Sequence, residues 1–201
     1  QHFQPYPFRF SRFKAAFEQN LKDRKLRILF AEGFILMGCL VTVFNYISYH
    51  LLEAPFQLSQ SWIGLISIAY LAGIYSSSKA AQWSFKYGRA KVLPLMLLMM
   101  MAGLLITLIP ALWAILLGLI IFAFAFFAAH STASSWVSVQ AIQYRAVAAS
   151  LYLFCYYIGS SLLGSSGGLI WENFGWIGIN LSVVLVLAVG LFLTFYLHDT
   201  K

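Results

Sequence analysis

The sequence predicts an all-α membrane protein of six transmembrane helices in a 3+3 bundle, and three observations carry that prediction. Of its 201 residues 61% are hydrophobic, 17% aromatic and only 9% charged, against about 25% charged in an ordinary soluble domain. A soluble chain of this size has too small an interior to hide so much apolar surface. Six apolar runs, at 28–51, 61–83, 92–109, 111–136, 147–170 and 176–197, are each long enough to cross a hydrocarbon core of about 30 Å. Of the 13 Lys and Arg residues, all but Lys79, which lies near the end of the second run, fall before the first run, between alternate runs, or at the end of the chain. The net charge of +7 is therefore a topology signal rather than a face for nucleic acid.

Residues 1–27 hold seven of the Lys and Arg residues and no apolar core of the kind that opens a signal peptide. Within them Phe10, Phe13, Phe17 and Leu21 recur at helical spacing, Arg12, Lys14, Glu18 and Lys22 occupy other faces, and Ser11 is placed as an N-cap. The spacing predicts a short basic helix on the inner leaflet of the bilayer, and residues 28–201 form the membrane domain. Lys79, Lys86, Arg89 and Lys91 lie around the second connection, Arg145 in the fourth, and Lys201 at the end, whereas the alternate connections carry Glu53, Glu172 and the turn at Pro110. By the positive-inside rule the chain is multi-pass in the cytoplasmic (inner) membrane with both termini cytoplasmic. Cys39 and Cys155 sit in mid-run without metal-ligand spacing and are expected as packing residues.

The runs differ in polarity. The third and sixth contain little beyond Thr107, Asn180, Ser182 and Thr194, and are expected to meet lipid on most faces. The first, second, fourth and fifth carry Glu32, Thr42, Asn45, Tyr46, Tyr49, Tyr70, Ser76 to Ser78, His130, Ser131, Ser134, Tyr152, Tyr156 and Ser160, side chains that need partners or water at that depth. Two helices of each triplet thus line an interior while the third braces them. Small residues (Gly73, Ser77 and Ala81 in the second run; Gly159, Gly164, Gly167 and Gly168 in the fifth) permit close helix approach.

Three sets of candidate functional residues follow. Thr42, Asn45, Tyr46 and Tyr49 form one stripe at i, i+3, i+4 and i+7, expected to face a cavity. Glu32 and Lys79 lie at similar depths and are expected to pair across the first two helices, with Glu32 also a candidate for proton coupling. His130, with Ser134 one turn on and Tyr152 or Tyr156 as neighbours across the interior, is the other candidate, because imidazole titrates near neutral pH.

The loop Ala81-Gln82-Trp83-Ser84-Phe85-Lys86-Tyr87-Gly88-Arg89-Ala90-Lys91 resembles the cytoplasmic loop after the second helix of each half of the major facilitator superfamily. That pattern reads Gly/Ala-x-x-x-Asp-Arg/Lys-x-Gly-Arg-x-Lys/Arg. Gly88, Arg89 and the flanking Lys86 and Lys91 match, whereas Phe85 stands where the family has Asp. The fifth run, Gly159 to Leu169 followed by Phe174-Gly175-Trp176, is similar to the family's eleventh helix and the turn after it. The resemblance covers nearly the whole chain and points to the C-terminal half of such a transporter, in its drug:proton antiporter-like branch. It implies half of the major facilitator fold, alternating access, proton-coupled efflux of a small organic substrate, an N-terminal six-helix half as partner, and no cofactor, metal or nucleic acid. Because the sequence opens on Gln1 and its first Met is Met37, it is read as a piece of a longer chain. The competing expectation is a six-helix membrane scaffold, or a homodimeric subunit, that does not transport.

Gly164-Ser165-Ser166-Gly167 resembles the nucleophile motif of rhomboid intramembrane proteases. A serine nucleophile needs its histidine within hydrogen-bond reach, and His130 differs from Ser166 in depth by roughly 15–20 Å at 1.5 Å per residue. His198 lies at the wrong end, and His50 precedes the serine. The chain is expected not to be an enzyme.

Overall fold

The computed structural model describes residues 10–197. Their order is α1 (Phe10–Lys22), α2 (Arg24–Leu52), α3 (Gln60–Leu65), a 3-10 turn (Ile66–Ala69), α4 (Tyr70–Tyr87), α5 (Arg89–Ile106), α6 (Leu112–Gln140), α7 (Arg145–Thr194) and a closing 3-10 turn (Phe195–Leu197). Helices satisfy their own backbone hydrogen bonds, which a lipid solvent requires. The expectations for residues 1–9, His198 and Lys201 lie outside the described residues. The helix α1 starts at Phe10, so Ser11 falls inside its first turn instead of capping it. The cap that does form is Asp23: its Oδ1 accepts from the Lys25 and Leu26 N–H groups at 2.8 and 3.1 Å, and its Oδ2 accepts from Gln140 Nε2 at 2.9 Å. One carboxylate thereby starts α2 and ties it to the end of α6.

Among the described residues four helices are long and apolar enough to cross a membrane: α2, α5, α6 and the stretch Arg145–Leu197. The last has 53 residues, about 80 Å at 1.5 Å per residue, more than twice a ~30 Å hydrocarbon core. Gly175 resolves the excess with φ 57° and ψ −149°, a region that glycine alone enters without strain. The expected fifth and sixth runs are the two arms of α7, hinged at this residue. The arm before Gly175 runs parallel to α2, with Gly33 against Tyr152, Gly38 against Gly159 and Tyr46 against Gly167. The arm after it runs antiparallel, with His50 stacked on Trp176, Glu32 beside Gly190 and Arg24 over Tyr196. The second expected run is built otherwise: α3, a 3-10 turn and α4 follow one another, and none of these pieces reaches the length and apolarity of a span. Ser76, Ser77, Ser78 and Lys79 account for the lower apolarity of α4.

Packing is organised about α2 and α6. The helix α2 lies against both arms of α7 and against α6, while α6 also packs on α4 and α5. At the crossing of α2 and the first arm the backbones meet: a Cβ on Gly159 would overlap the Phe34 carbonyl, and one on Gly38 would stand 2.9 Å from the Gly159 carbonyl. Between the end of α5 and the second arm, both expected to turn most faces to lipid, Thr107, Trp176 and Asn180 form a clasp, while Ser182 and Thr194 donate to carbonyls of their own helix. Thr107 Oγ1 and Asn180 Oδ1 are 3.2 Å apart, Asn180 Nδ2 donates to the Trp176 carbonyl at 3.0 Å, and Trp176 Nε1 donates to the Thr107 carbonyl at 3.3 Å. The N-terminal helix α1 buries Ala16 and Asn20 and leaves Phe13, Phe17 and Leu21 partly exposed.

Candidate functional site

His130 sits on α6 ten residues from its end at Gln140, about 15 Å along the axis, and Tyr152 is seven residues into α7, about 10 Å along it. Antiparallel helices bring these two levels together, and His130 Nδ1 and Tyr152 Oη lie 2.9 Å apart. Tyr156, one turn on, places its ring 4.8 Å from the imidazole, and Phe126 stacks on the imidazole at 6.0 Å with the planes 7° apart. Rings continue outward from this centre: Tyr156 to Tyr157, Phe126 to Phe127, Phe127 to Tyr70 on α4, and Tyr70 to Phe44 on α2 at 4.6 Å. A track of aromatic rings therefore joins four helices, with one imidazole at its middle. The Tyr152 ring is buried, whereas His130 and Tyr156 are half-buried. Ser134 lies on the same face of α6, but its hydroxyl donates to its own helix at the Ser131 carbonyl.

The stripe on α2 divides. Thr42 and Tyr46 are buried, and Tyr46 Oη donates to the Gly164 carbonyl at 3.1 Å while its ring rests on Gly167. Asn45 and Tyr49 are exposed, Tyr49 by 53%. The reason is angular: four positions at this spacing span about 100° of helix surface, and the first arm of α7 covers half of it. With Phe44, Ser48, Leu52 and Gln60, the residues Asn45, Tyr46 and Tyr49 line a cavity of about 400 Å³. Cysteines introduced at Asn45 and Tyr49, in a background without Cys39 and Cys155, are expected to react with a water-soluble thiol reagent at least about tenfold faster than cysteines at Thr42 or Tyr46. Equal rates at all four would show that the first arm does not seal this face.

The Glu32–Lys79 pair does not form. Lys79 Nζ reaches Gln82 Oε1 on its own helix at 3.4 Å, whereas Glu32 faces the second arm of α7 at Gly190. Neighbours in sequence are not neighbours at this depth: α2 and α4 converge at Phe44 and Tyr70, and α6 packs against both. In the loop motif, Gly88 takes φ 85° and ψ 140° as it closes α4 and opens α5. Arg89 follows with a buried Nε that has no hydrogen-bond partner, and Lys91 is exposed. Phe85, which stands where the resembled loop pattern has Asp, projects outward at 95% exposure. Gly88→Ala is expected to cost about 1 kcal/mol of stability through its left-handed backbone, read as a lower unfolding temperature in detergent. An unchanged temperature would mean that the turn relaxes.

The aromatic track was only partly legible. His130, Tyr152 and Tyr156 stood out as ionisable or hydroxyl-bearing groups inside apolar runs, but Phe126, Phe127 and Phe44 carried no signal among 18 phenylalanines. A larger cavity, about 460 Å³ between Trp62, Ile66, Leu112, Leu116 and Ile120, offers apolar walls and no hydrogen-bonding anchor beyond one indole. Among the described residues no three His, Cys, Asp or Glu side chains converge to hold a metal ion. Ser166 donates to the Leu163 carbonyl of its own helix, and His130 is committed to Tyr152.

An apolar helical bundle with ionisable and aromatic groups gathered inside it defines a polytopic membrane protein with an internal polar surface. Comparison with known proteins places it more narrowly. The chain is 45% identical over 198 residues to the inner membrane transport protein YnfM of Escherichia coli, covering 98% of this chain and 48% of that protein. It is 41% identical over 197 residues to YybF of Bacillus subtilis, an uncharacterized MFS-type transporter, covering 98% and 49%. It is also 46% identical over 194 residues to an uncharacterized transporter of Buchnera aphidicola from Schizaphis graminum, covering 96% and 47%. The chain spans about half the length of the curated relatives it matches. No family model matches it. These relatives are named as transporters rather than enzymes, and YybF as one of the MFS type.

Proposed function

We propose that this chain is the C-terminal six-helix half of a proton-coupled transporter that exports small amphipathic organic compounds by alternating access. Supporting this most directly is the aromatic track centred on His130 and Tyr152, a greasy surface with a few polar anchors of the kind that binds such ligands. On this reading Asn45, Tyr49, His130 and Tyr156 touch substrate, Tyr46 and Tyr152 hold that surface in place, and an N-terminal six-helix half supplies the facing wall. The basic ends of the helices and both termini face the cytoplasm, α3 and α4 together make the second of six crossings, and α1 lies on the inner leaflet. Imidazole supplies a proton acceptor that works near neutral pH.

The test uses the full-length protein in proteoliposomes under an imposed pH gradient, with a panel of fluorescent amphipathic compounds. Substrate is expected to move against the proton flow, and collapsing the gradient is expected to abolish accumulation. Movement indifferent to the gradient would remove the proton from the mechanism. No movement of any compound, with the protein folded, would favour the scaffold reading instead.

A further inference from the structure

The seam between α2 and the second arm of α7 is closed at both ends by ring contacts. Arg24 lies 4.6 Å over the Tyr196 ring at one end, and His50 stacks on Trp176 at 5.4 Å at the other. Between them, eight residues into α2, the Glu32 side chain is wholly buried. Neither of its oxygens has a hydrogen-bond partner. It fits because Gly190 has no side chain: a Cβ there would stand 3.2 Å from Oε2. Further along the same seam a cavity of about 70 Å³ is lined by Cys39, Thr42, Ser166, Ser182 and Val186, roomy enough for a few waters and bordered by hydroxyls. The titratable groups facing Glu32 are Cys39 on its own helix and Tyr152 on the first arm, and the Tyr152 hydroxyl is in turn held by His130 on α6. The second arm, 176–194, contains no charged residue.

We infer that Glu32 is a second protonation site, separate from the His130 surface, which is neutral while the seam is closed and can ionise only when the seam parts and water enters. A carboxylate stripped of water, counter-charge and hydrogen bonds is strongly disfavoured, whereas a carboxylic acid is tolerated. Loading is a simple transfer: the carboxylate takes a proton from hydronium, releases water, and the seam shuts over the acid. Unloading reverses these steps. Proton occupancy thereby sets how the second arm sits on α2. The connection to transport rests on the transporter reading, but the protonation site does not.

Infrared difference spectra of the full-length protein in lipid test the site directly. At neutral pH the wild type is expected to show the C=O stretch of a protonated carboxyl, sensitive to deuterium exchange, and Glu32→Gln to lose it. A spectrum unchanged by the substitution would overturn the assignment. Should Glu32→Gln fail to fold, Glu32→Asp is expected to move the same band, and an unmoved band overturns the assignment equally. Spin labels at Leu52 and Ile177, both exposed near the far end of the seam, read the motion. Their separation is expected to widen as pH rises in the wild type and to stay fixed in Glu32→Gln, and a distance indifferent to pH in the wild type would overturn the coupling. A Glu32 band in a protein that shows no proton-driven transport supports the site and fails the transporter reading. Proton-driven transport with no Glu32 band does the opposite.

Discussion

Gly159→Leu is expected to prevent the bundle from assembling. Leucine is ordinarily a better helix former than glycine, worth close to 1 kcal/mol in an exposed helix, so local propensity alone predicts a stabilised arm. The crossing with α2 decides otherwise. A Cβ on Gly159 would overlap the backbone of Phe34, and the reciprocal Cβ on Gly38 would stand 2.9 Å from the Gly159 carbonyl. Flexible side chains can move aside for an intruding methyl, but the carbonyl of a continuous helix cannot. The helices would have to separate, and Tyr46 would lose its hydrogen bond to the Gly164 carbonyl and its seat on Gly167. Overpacking a well-filled interior costs about 1–3 kcal/mol when side chains can yield; here the expected cost is at the top of that range or beyond it. The comparison is Gly168→Ala, where the nearest atom to a new Cβ is Tyr46 Oη at an ordinary 3.5 Å, and near-neutral behaviour is expected. Monodispersity of the full-length protein after a heating series in detergent separates the two. If Gly159→Leu survives heating as the wild type does, α2 and the first arm do not cross as described.

The same crossing shows how much of the fold the sequence discloses. Apolar runs fix where helices lie because in lipid every backbone group must be satisfied internally, so length and composition suffice for α2, α5, α6 and the two arms of α7. They do not disclose where a helix tightens. Nothing in Ile66-Ser67-Ile68-Ala69 marks a 3-10 turn, because the change is one of hydrogen-bond register rather than of polarity. Nor do they disclose which helices touch. Glu32 and Lys79 match in depth and charge, yet depth is a coordinate along the bilayer normal, and pairing also needs a shared azimuth, which only packing supplies. Thr107 and Asn180 make the same point in reverse: isolated polar residues in lipid-facing helices form a buried clasp because their two helices meet there. The His130 centre was legible for the complementary reason. Its partner had to be a hydrogen-bonding side chain at the same depth on a neighbouring helix, and the fifth run offered only a few.

His130→Gln is expected to leave substrate binding within about threefold of the wild type while gradient-driven accumulation falls on the order of tenfold or more. Glutamine keeps a hydrogen-bonding side chain in reach of Tyr152 Oη but does not titrate, whereas an imidazole in water gains its proton near pH 6.5. The geometry gives that proton a structural consequence. When His130 Nδ1 is unprotonated it accepts from the Tyr152 hydroxyl across 2.9 Å; when it carries a proton it donates, and the Tyr152 hydroxyl hydrogen must turn to another acceptor. The Tyr152 ring also contacts Gly33, the residue after Glu32, so this reversal happens beside the second buried acid. A purely structural histidine would make the same hydrogen bond without this dependence. The two roles separate in the pH profile of accumulation between about pH 5.5 and 8: the wild type is expected to vary across that window and the variant to be flat and low. Tyr152→Phe, which removes the hydroxyl and keeps the ring, is expected to weaken the pH dependence without flattening it. If His130→Gln retains the wild-type profile, the imidazole is a packing element of the aromatic track and the coupling proton travels elsewhere.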